Sequence, residues 1–241
     1  MIKKILCLLA SMLMLLACSK EDKNKIYVGT NAEFEPFEYR DGQTIVGFDI
    51  DLIKAVADII EKDVEIVDMS FDGLLPALQS KKIDLIIAGM TATDERKKFV
   101  NFTDPYYKSK QAILVSKDNT DINSIDDLKG KRVGVVLGFT GDLIASKIEN
   151  ANVQQFNATS ESVLGLKFKK VDAVILDYEP AKAYANINDD IKLLDTKLEQ
   201  EEYAIAIRKE DTELLEKINK AIVTIKENGT YDNLLKTYFE N

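Results

Sequence analysis

The distribution of apolar residues separates a short apolar leader from a long segment in which two periodicities alternate. Residues 5–17 are almost wholly apolar and follow Lys3 and Lys4. A helix that spans a bilayer needs about twenty apolar residues, so a run of about a dozen is too short. A positive start followed by a run of this length is typical of a secretory signal. We therefore predict that residues 1–17 are a signal peptide.

From residue 26 onward, short β-rich runs alternate with longer segments of helical periodicity. Residues 83–88 (IDLIIA) form a nearly continuous apolar run, as expected for a strand covered on both faces. Residues 49–62 carry the apolar face of a helix packed on a sheet. The other predicted strands are 26–28, 37–39 paired with 43–46 around an Asp41-Gly42 turn, 64–67, 132–136, 153–156, 173–176 and 203–207. The other predicted helices are 70–78 with Ser70 as its cap, 140–150, 160–169, 179–184, 212–228 and 231–239. Strands separated by helices indicate an α/β fold with mostly parallel sheets.

Two extended segments, 106–116 and 201–208, bracket a central block of about a hundred residues. This arrangement favours one lobe inserted into another, with two strands joining them. The prediction assigns residues 26–108 and 204–241 to lobe 1, and residues 109–203 to lobe 2.

The cysteine and histidine content excludes several kinds of site. The chain has two cysteines and no histidine. Cys7 lies inside the leader and Cys18 at its predicted end, so the folded part has no thiol for a disulfide, a thiolate nucleophile or a zinc site. Without histidine, Ser-His-Asp catalysis, Cys-His catalysis and His-ligated metals are also excluded. We predict no cofactor and no metal.

The net charge excludes a nucleic-acid partner. It is −9 for the whole chain and becomes −11 when the two charges of Lys3 and Lys4 are removed. An acidic protein without a basic stripe is repelled by nucleic acid and by anionic lipid. Residues 19–25 (SKEDKNK) are polar and show no apolar pattern, so we interpret residues 18–25 as a flexible tether.

Residues 15–19 (LLACS) resemble a bacterial lipobox. Cleavage before Cys18 would free the residue that receives the lipid. Leu16 is a less usual residue at its position, and an ordinary signal peptide followed by an incidental cysteine is the alternative.

Polar side chains collect where the predicted strands end. In open α/β sheets, ligands bind beyond the carboxyl ends of the strands. The residues found there supply a guanidinium, a carboxylate, hydroxyls, turn backbone and aromatic rings: Gly29, Thr30, Asn31, Phe34 and Phe37 after the first strand, Gly89, Met90, Thr91 and Arg96 after 83–88, Gly138 to Gly141 after 132–136, and Asp177 after 173–176.

This set of groups suits a free α-amino acid. Arg96 can bind a carboxylate with two parallel hydrogen bonds. Asp177, with the Gly89 carbonyl and the Thr91 hydroxyl, can accept hydrogen bonds from an ammonium group. Each residue also has a structural explanation: Arg96 as a solvated charge, Asp177 as a helix cap and the phenylalanines as core.

Five segments resemble the polar amino-acid-binding proteins of ABC importers, the bacterial solute-binding protein family 3. They are 29–39 (GTNAEFEPFEY), 47–52 (GFDIDL), 88–96 (AGMTATDER) with 102–107 (FTDPYY), 171–177 (VDAVILD) and 203–206 (YAIA). The resemblance covers essentially the whole mature chain. It implies a two-lobe type II periplasmic-binding fold, with each lobe a mostly parallel sheet flanked by helices and two hinge strands between them, and no enzymatic activity.

The resemblance also assigns roles to residues. It implies that Arg96 and Thr140 bind the ligand carboxylate, that Asp177 binds the ammonium, and that Phe34 and Phe48 lie beside the ligand side chain. The full expected ligand-binding set is Asn31, Phe34, Phe48, Ala88, Gly89, Met90, Thr91, Arg96, Phe139, Thr140 and Asp177. Asn31 stands where members that take basic amino acids or glutamine often carry Asp, although some arginine-binding relatives have Asn. The expected ligand is a polar or cationic amino acid, with arginine favoured.

The resemblance further implies an extracytoplasmic monomer, anchored to a membrane through lipid on Cys18, that delivers its amino acid to an ABC permease and its ATPase subunits. We expect Arg96 on one lobe and Asp177 on the other to grip the two ends of a zwitterion as the lobes close. Two alternatives are a ligand-sensing module for a membrane receptor and a dehydratase-like enzyme on the same fold, which would need a carboxylate or lysine as its acid or base.

Overall fold

The structure is a computed structural model that describes residues 24–194, 198 and 200–240. Its strands are β1 (Lys25–Thr30), β2 (Glu33–Phe34), β3 (Glu38–Asp41), β4 (Thr44–Val46), β5 (Asp63–Asp68), β6 (Leu85–Ile86), β7 (Val100–Phe102), β8 (Tyr107–Ser116), β9 (Arg132–Val136), β10 (Asn152–Phe156), β11 (Ala173–Asp177), β12 (Ile191–Leu194), β13 (Gln200–Tyr203) and β14 (Ala206–Arg208). Its helices are α1 (Phe48–Ile59), α2 (Phe71–Gln79), α3 (Asp94–Lys97), α4 (Thr140–Ala145), α5 (Thr159–Lys167), α6 (Tyr178–Ile187), α7 (Thr212–Glu227) and α8 (Thr230–Phe239), with a 3₁₀ turn at Ile125–Leu128. The predicted signal peptide, the lipidation site Cys18 and most of the tether lie outside the described residues. None of the helices within these ranges is long and apolar enough to cross a membrane.

The first sheet has the strand order β5-β1-β6-β14-β7. Strands β5, β1 and β6 run parallel, whereas β14 is antiparallel to both β6 and β7. Side chains of its central strands, such as Val28, Leu85 and Ile207, are fully buried. Helices α1 and α2 pack against this sheet, and α8 packs against α1.

The second sheet has the order β10-β9-β11-β8-β12, and β13 also pairs with β8. Strands β10, β9 and β11 are parallel, whereas β8 is antiparallel to β11, β12 and β13. The α/β organisation around two sheets is as predicted, but each sheet is mixed rather than mostly parallel. The antiparallel pairings arise because β8 and β14 enter their sheets after the chain has crossed from the other one.

A small third sheet, β2-β3-β4, contains the predicted hairpin. Tyr39 pairs with Val46 and Asp41 with Thr44 around the turn. Gly42 in that turn has a φ of 59°, which favours glycine.

Several predicted elements differ in extent from the observed ones, and three of them bear on how the chain is arranged. Residues 83–88 are almost all buried, as predicted, but only Leu85–Ile86, which pairs with both β1 and β14, is a strand. The helix predicted over 140–150 ends at Ala145, where the Ser146 hydroxyl donates to the Asp142 carbonyl at 2.8 Å and the chain turns towards β10. The strand predicted over 203–207 is the end of β13 and the start of β14, which belong to different sheets.

The two segments that cross between the sheets are held together side by side. Tyr106 N donates to the Tyr203 carbonyl at 2.9 Å, and Thr103 N donates to the Ile205 carbonyl at 3.0 Å. Continuing this contact, β13 pairs with β8, with Glu201 opposite Ser109. The crossing segments therefore place the ends of both sheets next to each other, which is where the candidate site lies.

Candidate functional site

A small cavity of about 10 Å³ lies between the two sheets. It is lined by residues from both sides: Phe34, Phe71, Ala88, Gly89, Arg96, Phe139, Thr140 and Asp177. A volume of about 10–15 Å³ is the room that one water molecule needs. The two sides of the cleft are therefore in contact, and most of the residues that the sequence assigned to the ligand meet there.

Arg96 is the cation of this cavity. It lies on α3, whose first turn is capped by Thr93 Oγ1 accepting from Arg96 N at 3.2 Å. The side chain is 7% exposed, so it is buried rather than solvated. Its Nη1 donates to the Thr91 carbonyl at 2.7 Å, and its Nη2 donates to the Gly138 carbonyl at 2.8 Å. Burial lowers the Arg96 pKa to about 10, while the nearby carboxylates of Asp177 and Glu201 act in the opposite direction, so the guanidinium stays charged at neutral pH.

Asp177 is the anion of the cavity and comes from the other sheet, at the carboxyl end of β11. It occupies the N-cap position of α6, but its side chain makes no capping hydrogen bond. Instead Asp177 Oδ1 accepts from Tyr203 Oη at 2.6 Å. The carboxyl group is 2% exposed. Burial and then the charge of Glu201 raise the Asp177 pKa to about 7, and the hydrogen bond from Tyr203 opposes this shift.

Three phenylalanines form the apolar wall. The Phe139 ring, from the second-sheet side, packs edge-on against Phe71 at 4.5 Å and against Phe34 at 5.5 Å between centroids. The Arg96 guanidinium carbon lies 5.1 Å from the centre of the Phe71 ring. Phe34 also touches Gly89, where an added Cβ would lie 2.4 Å from Phe34 Cε1 and where φ is 51°. A side chain at position 89 would therefore displace the Phe34 ring.

The loop that carries Gly89 is held from behind by a buried carboxylate. Asp49 Oδ2 accepts from Gly89 N at 2.9 Å and from Tyr106 Oη at 2.7 Å. Burial raises the Asp49 pKa to about 6, and the donors Gly89 and Tyr106 oppose that shift. Burial, followed by the charge of Asp49, raises the pKa of the adjacent Glu38 well above its usual value.

Four residues of the expected ligand set lie outside the cavity lining. Asn31 Nδ2 donates to the Met69 carbonyl at 3.0 Å, and Met90 is fully buried. The Thr91 carbonyl accepts from Arg96, and its hydroxyl donates to Glu201. Phe48 does not lie beside the cavity. It begins α1 and faces α8, with its ring 5.3 Å from Phe239 and 5.8 Å from Tyr231, so the structure places it in the core.

Sequence reasoning missed Phe71 in the lining and Gln111, Glu201 and Tyr203 behind it. Phe71 begins α2 three residues after the end of β5, so the strand-end rule that found Arg96 and Asp177 points to this segment too. Glu201 and Tyr203 share one face of β13 because strand side chains alternate, and that face is buried. Among the described residues, no group of three or more acidic, cysteine or histidine side chains is placed to hold a metal ion.

Comparison with known proteins identifies the family and the fold. Residues 26–241 match the model of the bacterial extracellular solute-binding proteins, family 3. The arginine-binding extracellular protein ArtP of Bacillus subtilis (strain 168) is 40% identical over 227 residues, which cover 92% of this chain and 88% of that protein. Two solved structures of an ancestral arginine-binding protein are each 47% identical with a TM-score of 0.85 over 90% of this chain. The arginine-bound structure is covered over 98% of its length, and the glutamine-bound structure over 99%. The likeness therefore extends over both sheets.

Proposed function

The chain belongs to the bacterial extracellular solute-binding proteins of family 3, and from this premise we propose that it binds one free amino acid with a polar or cationic side chain, arginine being favoured. The predicted periplasmic-binding fold is confirmed by the similarity to solved structures. The prediction that the chain is not an enzyme is also confirmed, because its relatives are binding proteins.

The proposal for an amino acid is carried by one observation: Arg96 and Asp177, from different sheets, line the same buried cavity with opposite charges. A free amino acid presents a carboxylate and an ammonium at neighbouring atoms. A guanidinium gives a carboxylate two parallel hydrogen bonds, and an ionised carboxylate is the acceptor that an ammonium requires. A ligand that carries only one charge would form a charge-assisted hydrogen bond with only one of these two groups.

A cationic side chain on the ligand is favoured by the rings of Phe34, Phe71 and Phe139. The face of an aromatic ring attracts a guanidinium, with a gain of about 2 kcal/mol when the pair is desolvated. ArtP and the ancestral protein are both named as arginine-binding. The ancestral protein is also solved with glutamine, so a neutral polar amino acid is the second ligand class to test.

Ligand entry requires the cleft to open, because a cavity of about 10 Å³ does not hold an amino acid. We propose that lobe 1 (26–108 and 204–241) and lobe 2 (109–203) separate about the two crossing segments. The ligand then favours the closed state because it contacts Arg96 and Asp177 together only there. A dissociation constant of 1 μM corresponds to about 8 kcal/mol, which a few charge-assisted hydrogen bonds and ring contacts can supply.

For the cellular role we propose an extracytoplasmic monomer, tethered by lipid on Cys18, that hands its amino acid to an ABC permease with its ATPase subunits. The lipobox-like residues 15–19 support the lipid anchor, and the family supports the transporter. Mass spectrometry of the protein extracted from membranes should find a diacylated Cys18 at the new N-terminus, and Cys18→Ser should release the protein from membranes.

The ligand is tested by thermal shift on residues 24–241 against each of the twenty standard amino acids. A ligand that binds only the folded protein raises its melting temperature. Arginine should give the largest shift, and citrulline, which has nearly the same shape without the charge, should give a smaller one. Absence of a shift with every amino acid would contradict the proposed function.

A further inference from the structure

Glu201 is a buried carboxylate behind the cavity that the amino-acid site does not use directly. It lies on β13, one of the strands on which the chain crosses between sheets, and is 8% exposed. A charged side chain is rarely buried unless it is paired or hydrogen-bonded, because its hydration is lost. The hydrogen bonds of Glu201 must therefore account for its burial.

One oxygen of Glu201 collects donors from both sides of the cleft. Glu201 Oε2 accepts from Thr91 Oγ1 at 2.9 Å, from Thr140 Oγ1 at 3.0 Å and from Gln111 Nε2 at 3.2 Å. Thr91 follows β6 of the first sheet, whereas Thr140 begins α4 after β9 of the second. Both hydroxyls reach this one acceptor in the closed arrangement, in which Ala92 N, next to Thr91, also donates to the Glu202 carbonyl of β13 at 3.2 Å.

These contacts reach the ligand cavity from two directions. Thr140 itself lines the cavity. The carbonyl of Thr91 accepts from Arg96 Nη1 at 2.7 Å, so the backbone that Glu201 holds also orients the guanidinium. Gln111 Nε2 also donates to Thr140 Oγ1 at 3.2 Å. The Thr140 hydroxyl therefore accepts from Gln111 and donates its own hydrogen to Glu201. Hydrogen bonds to an ionised acceptor are roughly twice as strong as those between neutral groups.

We propose that Glu201 is a positioning residue of the amino-acid site, whose carboxylate ties Thr91 to Thr140 across the cleft and stabilises the closed arrangement. The inference rests on the proposed function, since it explains how closure around an amino acid is favoured. A protein whose binding-competent state is only partly populated binds its ligand more weakly in proportion to that fraction. This link from Thr91 through Glu201 to Thr140, called the tie below, therefore contributes to affinity although Glu201 does not contact the ligand.

The decisive variant is Glu201→Gln, which keeps the shape of the side chain but replaces the ionised acceptor by a neutral amide. Arginine affinity measured by calorimetry should fall about tenfold or more, as expected for the loss of a charge-assisted hydrogen bond. Ligand-free Glu201→Gln should also be less compact than the parent in small-angle X-ray scattering. Glu202→Gln is the matched control, because Glu202 is the exposed neighbour on the same strand and should change neither quantity.

A double-mutant cycle separates the tie from a general loss of stability. In a Thr140→Val background the hydroxyl is already absent, so Glu201→Gln should weaken binding by a smaller factor than in the parent. Equal factors in both backgrounds would overturn the proposal. If Glu201→Gln does not fold, Thr91→Val removes one end of the tie alone, and unchanged compactness of that ligand-free variant would overturn it.

The outcomes for the tie and for the proposed function are distinguishable. If the parent binds arginine and Glu201→Gln binds it as tightly, or more tightly, the tie is wrong and the amino-acid site stands. If the parent binds no amino acid, the proposed function fails. The scattering comparison of the ligand-free proteins still decides the tie, since it needs no ligand.

Discussion

Arg96 and Gly138 belong to opposite sides of the cleft and are joined by a hydrogen bond of 2.8 Å from Nη2 to the carbonyl. In this closed arrangement Nη1 is bound to the Thr91 carbonyl as well, so backbone from both sides of the cleft holds the guanidinium. A carbonyl carries a partial charge, whereas a ligand carboxylate carries a full one. The ligand can therefore replace these carbonyls with stronger partners while the guanidinium keeps its orientation.

The first prediction concerns this guanidinium. Arg96→Gln should weaken binding of the amino acid by about 2–5 kcal/mol, because Asp177 and the ligand carboxylate lose their buried counter-charge. Isothermal titration calorimetry measures the change. Lys97→Gln, on the exposed side of the same helix, is the control and should bind as the parent does. Parent-like affinity in Arg96→Gln would show that the carboxylate is bound elsewhere.

The second prediction is a pH dependence of binding. In the closed arrangement the Asp177 pKa is raised to about 7, by burial and then by Glu201, with the Tyr203 hydroxyl opposing the shift. Arg96 and the more distant Glu38 are the other charged or titratable groups that act on this carboxyl. A ligand ammonium requires the ionised form, so binding below about pH 7 must release a proton.

Affinity should therefore be full above about pH 7 and fall as the pH decreases, approaching a tenfold loss per pH unit. Near pH 6 the buffer takes up the released proton, so the binding enthalpy measured by calorimetry should change with the ionisation enthalpy of the buffer. In Asp177→Asn this dependence should disappear and the affinity should be low throughout. A parent affinity that stays constant from about pH 5.5 to 8.5 would contradict the assignment of Asp177 to the ammonium.

The third prediction separates two phenylalanines. Phe71 lines the cavity, whereas Phe48 packs against Phe239 in the core. Phe71→Leu should weaken arginine binding by about 0.5–2 kcal/mol, the range of a cation–π contact, with little change in stability. Phe48→Leu should lower the free energy of unfolding by about 1–3 kcal/mol and leave affinity nearly unchanged in the folded fraction. Titration calorimetry measures the affinities, and urea unfolding measures the free energies of unfolding. Weak binding by Phe48→Leu together with parent-like binding by Phe71→Leu would show that Phe48 belongs to the site.

The fourth prediction compares two glycines of positive φ. At Gly89 a Cβ would lie 2.4 Å from the Phe34 ring, whereas at Gly130 nothing lies within 4 Å. Both Gly→Ala variants should lose about 1–2 kcal/mol from backbone strain. Only Gly89→Ala should also bind arginine more weakly, because its methyl group displaces Phe34. Equal affinities of the two variants would mean that Phe34 does not contact the ligand.

Much of this architecture follows from local patterns. The strand-end rule led to Arg96 and Asp177, because Asp177 ends an apolar strand and Arg96 lies in the segment that follows another, and the structure brings both into one cavity. Phe71 was missed because a phenylalanine at the start of an amphipathic helix has the pattern of a core residue. Residues 203–207 were predicted as one strand because their apolar pattern is continuous, although the chain changes sheet at Ala204.

The tertiary contacts of charged residues are harder to predict. Strand alternation places Glu201, and not Glu202, on the face of Tyr203, but the sequence does not show that this face meets Thr140. Likewise, Phe48 was assigned to the ligand from a resemblance in the segment 47–52, while its environment is decided by α8, far along the chain. Local patterns locate the cleft, but the partners within it are set by contacts between distant segments.

The last prediction concerns Glu38 and Asp49, two buried carboxyl groups that each act on the pKa of the other. Neither carboxyl oxygen of Glu38 has a hydrogen-bond donor among the described residues. Burial, followed by the charge of Asp49, raises the Glu38 pKa well above its usual value. We therefore infer that Glu38 is protonated and donates to Asp49, whose other oxygen accepts from Gly89 N in the cleft loop.

A carboxyl whose pKa is raised on folding stabilises the protein fully below its unfolded pKa, and that contribution is lost as the pH rises through the folded pKa. Glu38→Gln keeps the shape and a donor for Asp49 but cannot ionise. Relative to the parent, it should therefore gain stability between pH 5 and pH 8, by up to about 1.4 kcal/mol per pH unit, because in the parent only the folded state keeps the Glu38 proton over this range. Urea unfolding at the two pH values measures this difference.

Glu35→Gln, at an exposed neighbouring position, should follow the parent at both pH values. If Glu38→Gln lost the same stability as the parent between pH 5 and pH 8, the proton would not be shared at this site, and the Gly89 loop would be held by Asp49 alone.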